Sequence, residues 1–221
     1  MKKTEAILAT ISLAALCLAQ NKLNTITNAT GSFILKFRDF SLTNPSGPVT
    51  HLVLTNSGGQ VYAASKKQGI ELYAPHLAID AISTKGKEND AIRSAAASGG
   101  IRVIRTAQTG TSEMTGSSGN YSVDGDKGTL LVRGPVKLTN ASGGDRSFAA
   151  TGAQLTAGFD NSVSKTPLTT AVLSGGVDVT IRQAGSGGKP GSDIRLSASK
   201  LTLHQDAQPR RGGLVHDGGD R

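Results

Sequence analysis

Ser174-Gly175-Gly176-Val177-Asp178-Val179-Thr180-Ile181 is the stretch whose reading decides the fold. After the two glycines, Val177, Val179 and Ile181 alternate with Asp178 and Thr180. A period of two sends apolar side chains to one face of a strand and polar ones to the other, where a helix would need spacings of three and four. Two more segments share the shape, a Gly-containing turn and then alternation. They are Ser98-Gly99-Gly100-Ile101-Arg102-Val103-Ile104 and Arg133-Gly134-Pro135-Val136-Lys137-Leu138. In all three, Arg102, Lys137 or Asp178 is predicted to face away from its apolar neighbours.

A second recurring piece sets a small residue shortly before an alternating pair. It occurs as Ala74-Pro75-His76-Leu77-Ala78-Ile79, as Ala198-Ser199-Lys200-Leu201-Thr202-Leu203, and more loosely as Gly152-Ala153-Gln154-Leu155-Thr156-Ala157. Toward the N-terminus, the run from Ser32 to Leu42 holds three of the five phenylalanines and is expected to pack on the core. Asn44-Pro45-Ser46-Gly47-Pro48 ends it with turn chemistry. His51-Leu52-Val53-Leu54 and Gln60-Val61-Tyr62-Ala63, joined by Asn56-Ser57-Gly58-Gly59, read as a hairpin, because the glycines permit positive φ. Pro75 separates the runs 69–73 and 76–80, since proline cannot donate to a central ladder. Residues 83–90 and 107–119 read as loops and 185–192 as a Gly-rich insert. Residues 89–97 are either one short helix or the beginning of a strand.

The first nineteen residues have a different character. Lys2 and Lys3 precede an almost continuously apolar stretch at 6–18, and Cys17-Leu18-Ala19 places small residues for cleavage before Gln20. The stretch is shorter than the roughly 20 apolar residues that span a bilayer. The expectation is therefore a cleaved signal over 1–19, export to the periplasm, a β domain over 20–204, and a disordered tail over 205–221, where Gln, Pro, Arg, Gly and Asp dominate. Lipidation at Cys17 would use a lipobox in which Leu16 replaces the usual Gly or Ala. Loss of the leader removes the single cysteine, so the mature domain would rest on packing and hydrogen bonds. With 28 glycines and 4% aromatics, the composition favours strands and turns over a helical enzyme with a deep aromatic pocket. The formal charge of +8 suits anionic lipid or polysaccharide in an exported protein. Nucleic acid is not expected, because aromatics are too scarce, at 4%, to build the platforms between Lys and Arg that a single-strand surface needs.

The alternating units across roughly residues 60–204 resemble the OstA-like β-jellyroll family of lipopolysaccharide transport. The resemblance lies in Leu77-Ala78-Ile79-Asp80, followed by a turn and then Ala97-Ser98-Gly99-Gly100-Ile101-Arg102-Val103. Residues 20–59 fit the pattern less well. The resemblance implies an all-β, folded-over antiparallel sheet, with a β-solenoid as the alternative. It also implies an apolar groove that shelters the acyl chains of lipopolysaccharide or a similar glycolipid on the way to the outer membrane. Sheet edges would pair with other β-jellyroll bridge proteins or with copies of the chain head to tail. On this reading the groove is lined by Leu77, Ile79, Ile101, Val103, Val136, Leu138, Leu155, Val177, Val179, Leu201 and Leu203, unless these simply fill a closed core. Arg102, Arg105, Lys137 and Arg182 are candidates to meet lipid phosphates at a rim, or are solvated strand faces.

No catalytic, metal or cofactor constellation is expected. Asp124-Gly125-Asp126-Lys127-Gly128 begins like a calcium loop but lacks the later ligands, and reads as a hairpin turn. Gly187-Gly188-Lys189-Pro190 has proline where a phosphate loop needs Ser or Thr. His51, His76, His204 and His216 stand singly, without a partner at zinc-ligand spacing. Asp80 with Glu71, or Asp90 with Glu88, are the carboxylate pairs a glycoside-cleaving enzyme on a solenoid would use. A structural envelope protein of stacked strands is the remaining alternative.

Overall fold

The computed structural model describes residues 23–27, 33–44, 49–66, 69–82, 91–107, 110–142, 146–160, 162, 168–185 and 191–204. The expected signal over 1–19, the expected loop over 83–90, residues 186–190 of the expected insert and the expected tail over 205–221 lie outside them. Thirteen strands follow in order: β1 (Asn24–Thr27), β2 (Phe33–Phe37), β3 (Asp39–Thr43), β4 (Val49–Thr55), β5 (Val61–Ser65), β6 (Ile70–Ala74), β7 (His76–Ile82), β8 (Ala91–Ala107), β9 (Gly110–Asp124), β10 (Lys127–Ser142), β11 (Arg146–Asp160), β12 (Leu168–Gln183) and β13 (Ser192–His204). They form one sheet, and every pairing among the described residues is antiparallel. The sheet is folded over and does not close into a barrel, and its antiparallel ladder leaves no room for a solenoid of parallel coils.

The fold-over comes from a line of irregularities that crosses the six long strands. Register shifts fall between Ser98 and Ile101 in β8, between Arg133 and Val136 in β10, between Thr151 and Gln154 in β11, and between Ser174 and Val177 in β12. Gly99, Gly100, Gly134, Gly175 and Gly176 sit on that line with positive φ. The glycines of the repeated units are therefore bends inside long strands, and correct the reading of them as turns that start short ones. Bulges of this kind bend a strand sharply. Each long strand thus gives one half to each of two layers.

The first half of β8 pairs with β7, and its second half pairs with β6. One layer then continues through β7, β4 and β3, the other through β6, β5, β2 and β1. This splitting corrects the expected 51–63 hairpin: β4 pairs with β3 and β7, while β5 pairs with β2 and β6. The Asn56–Gly59 segment crosses between layers instead of reversing a ladder, although Gly58 does take positive φ. Pro75 likewise stands at a layer change between β6 and β7. Residues 110–119, expected as loop, are strand; their Thr, Ser and Gly residues pair along β8 and β10. Residues 91–97 are strand too, which settles the helix-or-strand ambiguity there.

Between the layers lies one apolar cluster. It includes Phe37, Leu54, Val61, Val132, Val136, Leu173 and Val177, each almost wholly buried, and no polar side chain is buried among the described residues.

Candidate functional site

Cross-strand pairing arranges the inner side chains in continuous rows. In one layer the row runs Ile26, Leu35, Ala63, Leu72, Val103, Met114, Leu138, Ala150, Val179, Leu196. In the other it runs Phe40, Leu54, Leu77, Ala97, Gly119, Val132, Leu155, Leu173, Leu201. Beside that second row lie Ile79 and, on β13, Leu203 opposite Ala171. The residues expected to line a groove fall on these inner faces, because the two halves of each bent strand keep their apolar positions on the same side.

Their exposure differs along the molecule. Leu77, Ile79, Ile101, Val136, Leu155, Val177 and Val179 are buried, whereas Val103, Leu138 and Leu201 are half-buried and packed on the cluster. Leu203 is exposed. The first row begins buried, with Ile26 at 8%, and ends open, with Leu196 at 54% and Ile194 beside it at 52%, while the second begins and ends half-buried at Phe40 and Leu201. Sequence reasoning missed Ile194 and Leu196, although Ile194-Arg195-Leu196 alternates as the other units do.

The two ends differ for a local reason. Only Arg38 separates β2 from β3, which lie in different layers. Its N–H donates to Thr55 O at 3.0 Å, and Asn24 Nδ2 donates to its carbonyl at 2.7 Å, so the tight corner leaves no backbone group unpaired there. Phe37 and Phe40 flank it, their rings meeting edge to face with centroids 5.7 Å apart. The phenylalanine-rich run does pack on the core, as a plug at this end. Among the described residues nothing comparable stands over β13.

On the outer face of the β6 layer, Lys36, Tyr62, Tyr73 and Arg102 are successive cross-strand partners. The Lys36 ammonium lies 5.4 Å from the Tyr62 ring centre, the tyrosine rings are 5.2 Å apart, and the Arg102 guanidinium is 5.9 Å from Tyr73. This ladder interleaves aromatics with cations, which the linear sequence hid because its members come from four separated strands. The Arg102 charge is matched by a carboxylate on neighbouring β9. Arg102 Nε and Nη2 donate to the two Glu113 carboxylate oxygens at 2.9 and 3.1 Å, holding that carboxyl below its ordinary range. Tyr73 Oη donates to Glu71 Oε2 at 2.7 Å; that bond, with burial, pushes the phenol up to about 12. Burial first and the Glu71 charge second raise Tyr62 as well. Lys137, Arg105 and Arg182 are exposed, which a lipid rim and solvated strand faces require alike, and Arg182 lies 3.5 Å from Asp193.

On the opposite outer face, Asp80 Oδ1 is 2.5 Å from His51 Nδ1, and Ser94 Oγ donates to Asp80 Oδ2 at 2.7 Å. The Ser94 bond and then the His51 bond hold the Asp80 carboxyl below its usual value. A serine nucleophile needs its base within hydrogen-bond reach. Here Ser94 and His51 are both bonded to the carboxylate, so the trio acts as a cross-strand clamp. Asp80 and Glu71 sit on different outer faces, which separates that proposed acid–base pair. Asp90, Glu88 and His216 lie outside the described residues. Among the described residues no three His, Cys, Asp or Glu side chains group as metal ligands. Gly125 and Asp126 form the tight turn of the β9–β10 hairpin, as expected.

A surface depression of about 520 Å³ is lined by Thr55, Asn56, Ser57, Gly58, Gly59, Gln60, Pro75 and His76. It includes none of the eleven inner-face residues and is built from turn segments at the layer change. No protein-family model, curated protein or solved structure matches this chain, so its functional reading rests on its own geometry.

Proposed function

We propose that the protein is a periplasmic lipid-transport component that holds the acyl chains of lipopolysaccharide or a similar glycolipid on the apolar inner face at its β12–β13 end and passes them toward the outer membrane without covalent chemistry. The observation that carries this reading is the exposed apolar side chains on the inner face at the β12–β13 end. Ile194, Leu196 and Leu203 offer exposed hydrocarbon there, continuous with the buried rows. The deeper members, from Leu77 to Val179, form the packed floor on which that face is built. Burying a methylene is favourable by about 0.8 kcal/mol, so a few carbons of an acyl tail laid on these side chains suffice for binding. Arg182 and Arg195, exposed on the outer side of the same end, supply cations that support a headgroup contact. The resemblance to OstA-like β-jellyrolls supports the same reading.

Photo-crosslinkers placed at Leu203 or Leu196 are expected to capture glycolipid in cells. Capture only from the outward positions Lys137 and Thr151 would overturn the proposal.

A second reading, a scaffold of strands that binds no lipid, is favoured by the burial of seven of the eleven inner-face residues by their own neighbours. Native mass spectrometry of protein taken from its own envelope separates the two, because only a carrier brings lipid with it.

A further inference from the structure

Exposed edge strands are normally short, kinked by proline, charged on the inward side or covered. The edge strands β1 and β3 obey this rule, with four and five residues. β13 does not. It runs for thirteen residues without proline, pairs among the described residues only with β12, and carries exposed Ile194, Leu196 and Leu203 on its inner side. We infer that β13 is the interface of a closed twofold dimer, in which it pairs antiparallel with β13 of a second copy.

The strand is self-complementary in a way that follows from the fold-over. Its first half belongs to one layer and its second half to the other. The inner positions change from even (194, 196, 198) to odd (201, 203) at Ser199, where two residues of β12 face one of β13. A twofold axis between Ala198 and Ser199 sets Leu196 opposite Leu201 of the second copy, and Ile194 opposite Leu203. Inner side chains then meet inner side chains in both layers at once. On the outer face Asp193 falls opposite His204, Arg195 opposite Thr202, and Ser197 opposite Lys200, so no like charges meet. Sliding the pairing by two residues would set Arg195 against Lys200, which directly opposed strands disfavour. Head-to-tail addition fits less well, since β1 offers only four residues and its inner side chain Ile26 is already 8% exposed. The dimer extends both layers through the axis and needs no bound lipid.

The test is light scattering on the purified protein from low to high micromolar concentration. The expected mass is twice that of the chain and stops there, because an isologous interface uses itself up on closing. Ile194→Lys with Leu196→Lys, at positions half exposed in the free chain, is expected to halve that mass while circular dichroism stays unchanged. Directly opposed residues in antiparallel strands have Cα atoms about 4.5–5.5 Å apart, within disulfide reach. Mixing Leu196→Cys with Leu201→Cys is therefore expected to crosslink two chains, and neither variant alone should do so. A mass that keeps growing with concentration, or a crosslink from Leu196→Cys to Ile26→Cys, would overturn the inference in favour of head-to-tail addition. A single-chain mass throughout would overturn it outright.

Discussion

At the scale of single residues, the molecule depends on glycines where the sheet folds over. Gly134 has φ near +94°, and a Cβ there would sit 2.0 Å from Ser117 Oγ and 3.0 Å from the Ser117 backbone nitrogen. Gly134→Ala should therefore cost about 1–3 kcal/mol and lower the thermal midpoint, measurable by calorimetry. A neutral result would mean that the fold line tolerates a side chain. Tyr73 makes a second residue-scale case. Its phenol is raised to about 12, so its contribution to stability is present below the unfolded value near pH 10 and is lost as pH rises through the folded one. Ultraviolet titration should show Tyr73 ionising latest, with Tyr62 raised as well, and Glu71→Gln should lower both. Residue identity in the sequence revealed the alternation and the inner face. It did not reveal the Lys36–Tyr62–Tyr73–Arg102 ladder, whose spacing exists only after four strands are placed side by side.

At the scale of elements, strand existence was legible and strand length was not. Val177-Asp178-Val179-Thr180-Ile181 announces half a strand, and Thr169-Thr170-Ala171-Val172-Leu173 hides the other half in small residues. The two positive-φ glycines between them look like a boundary because in most chains they are one. The 51–63 hairpin failed for a related reason: local turn chemistry says that the chain reverses, but not which neighbour it then meets. The candidate site was legible in the buried part of the inner face and missed at Ile194 and Leu196, the residues that prove exposed. Between elements, the Asp80 carboxylate ties β4 to β8 through His51 and Ser94. Since its folded pKa lies below the ordinary value near 3.9, its stabilisation is present above that pH and disappears as pH falls through the folded value. Asp80→Asn should flatten the acid side of a urea-midpoint profile and leave its neutral plateau less stable than wild type. An unchanged profile would show that the clamp contributes nothing.

At the scale of the whole molecule, the two ends of the folded sheet are unequal. Phe37 is fully buried in the corner where the chain changes layer, with Phe40 against it. Removing that ring should cost about 3–5 kcal/mol. Phe37→Ala, followed by urea unfolding, is expected to lower the midpoint sharply, whereas Leu203→Ala at the open end should change it little. Equal effects would contradict the asymmetry.

The succession of β8 to β13 has a further consequence. Each of these strands meets its sequence neighbour in both layers, so every added hairpin lengthens the whole body by two strand widths, roughly 10 Å, and demands no new partner elsewhere. Reach along the sheet is thus set by the number of hairpins alone, as a telescope is set by its sections. Duplication or loss of one such pair would resize the molecule without redesigning either end.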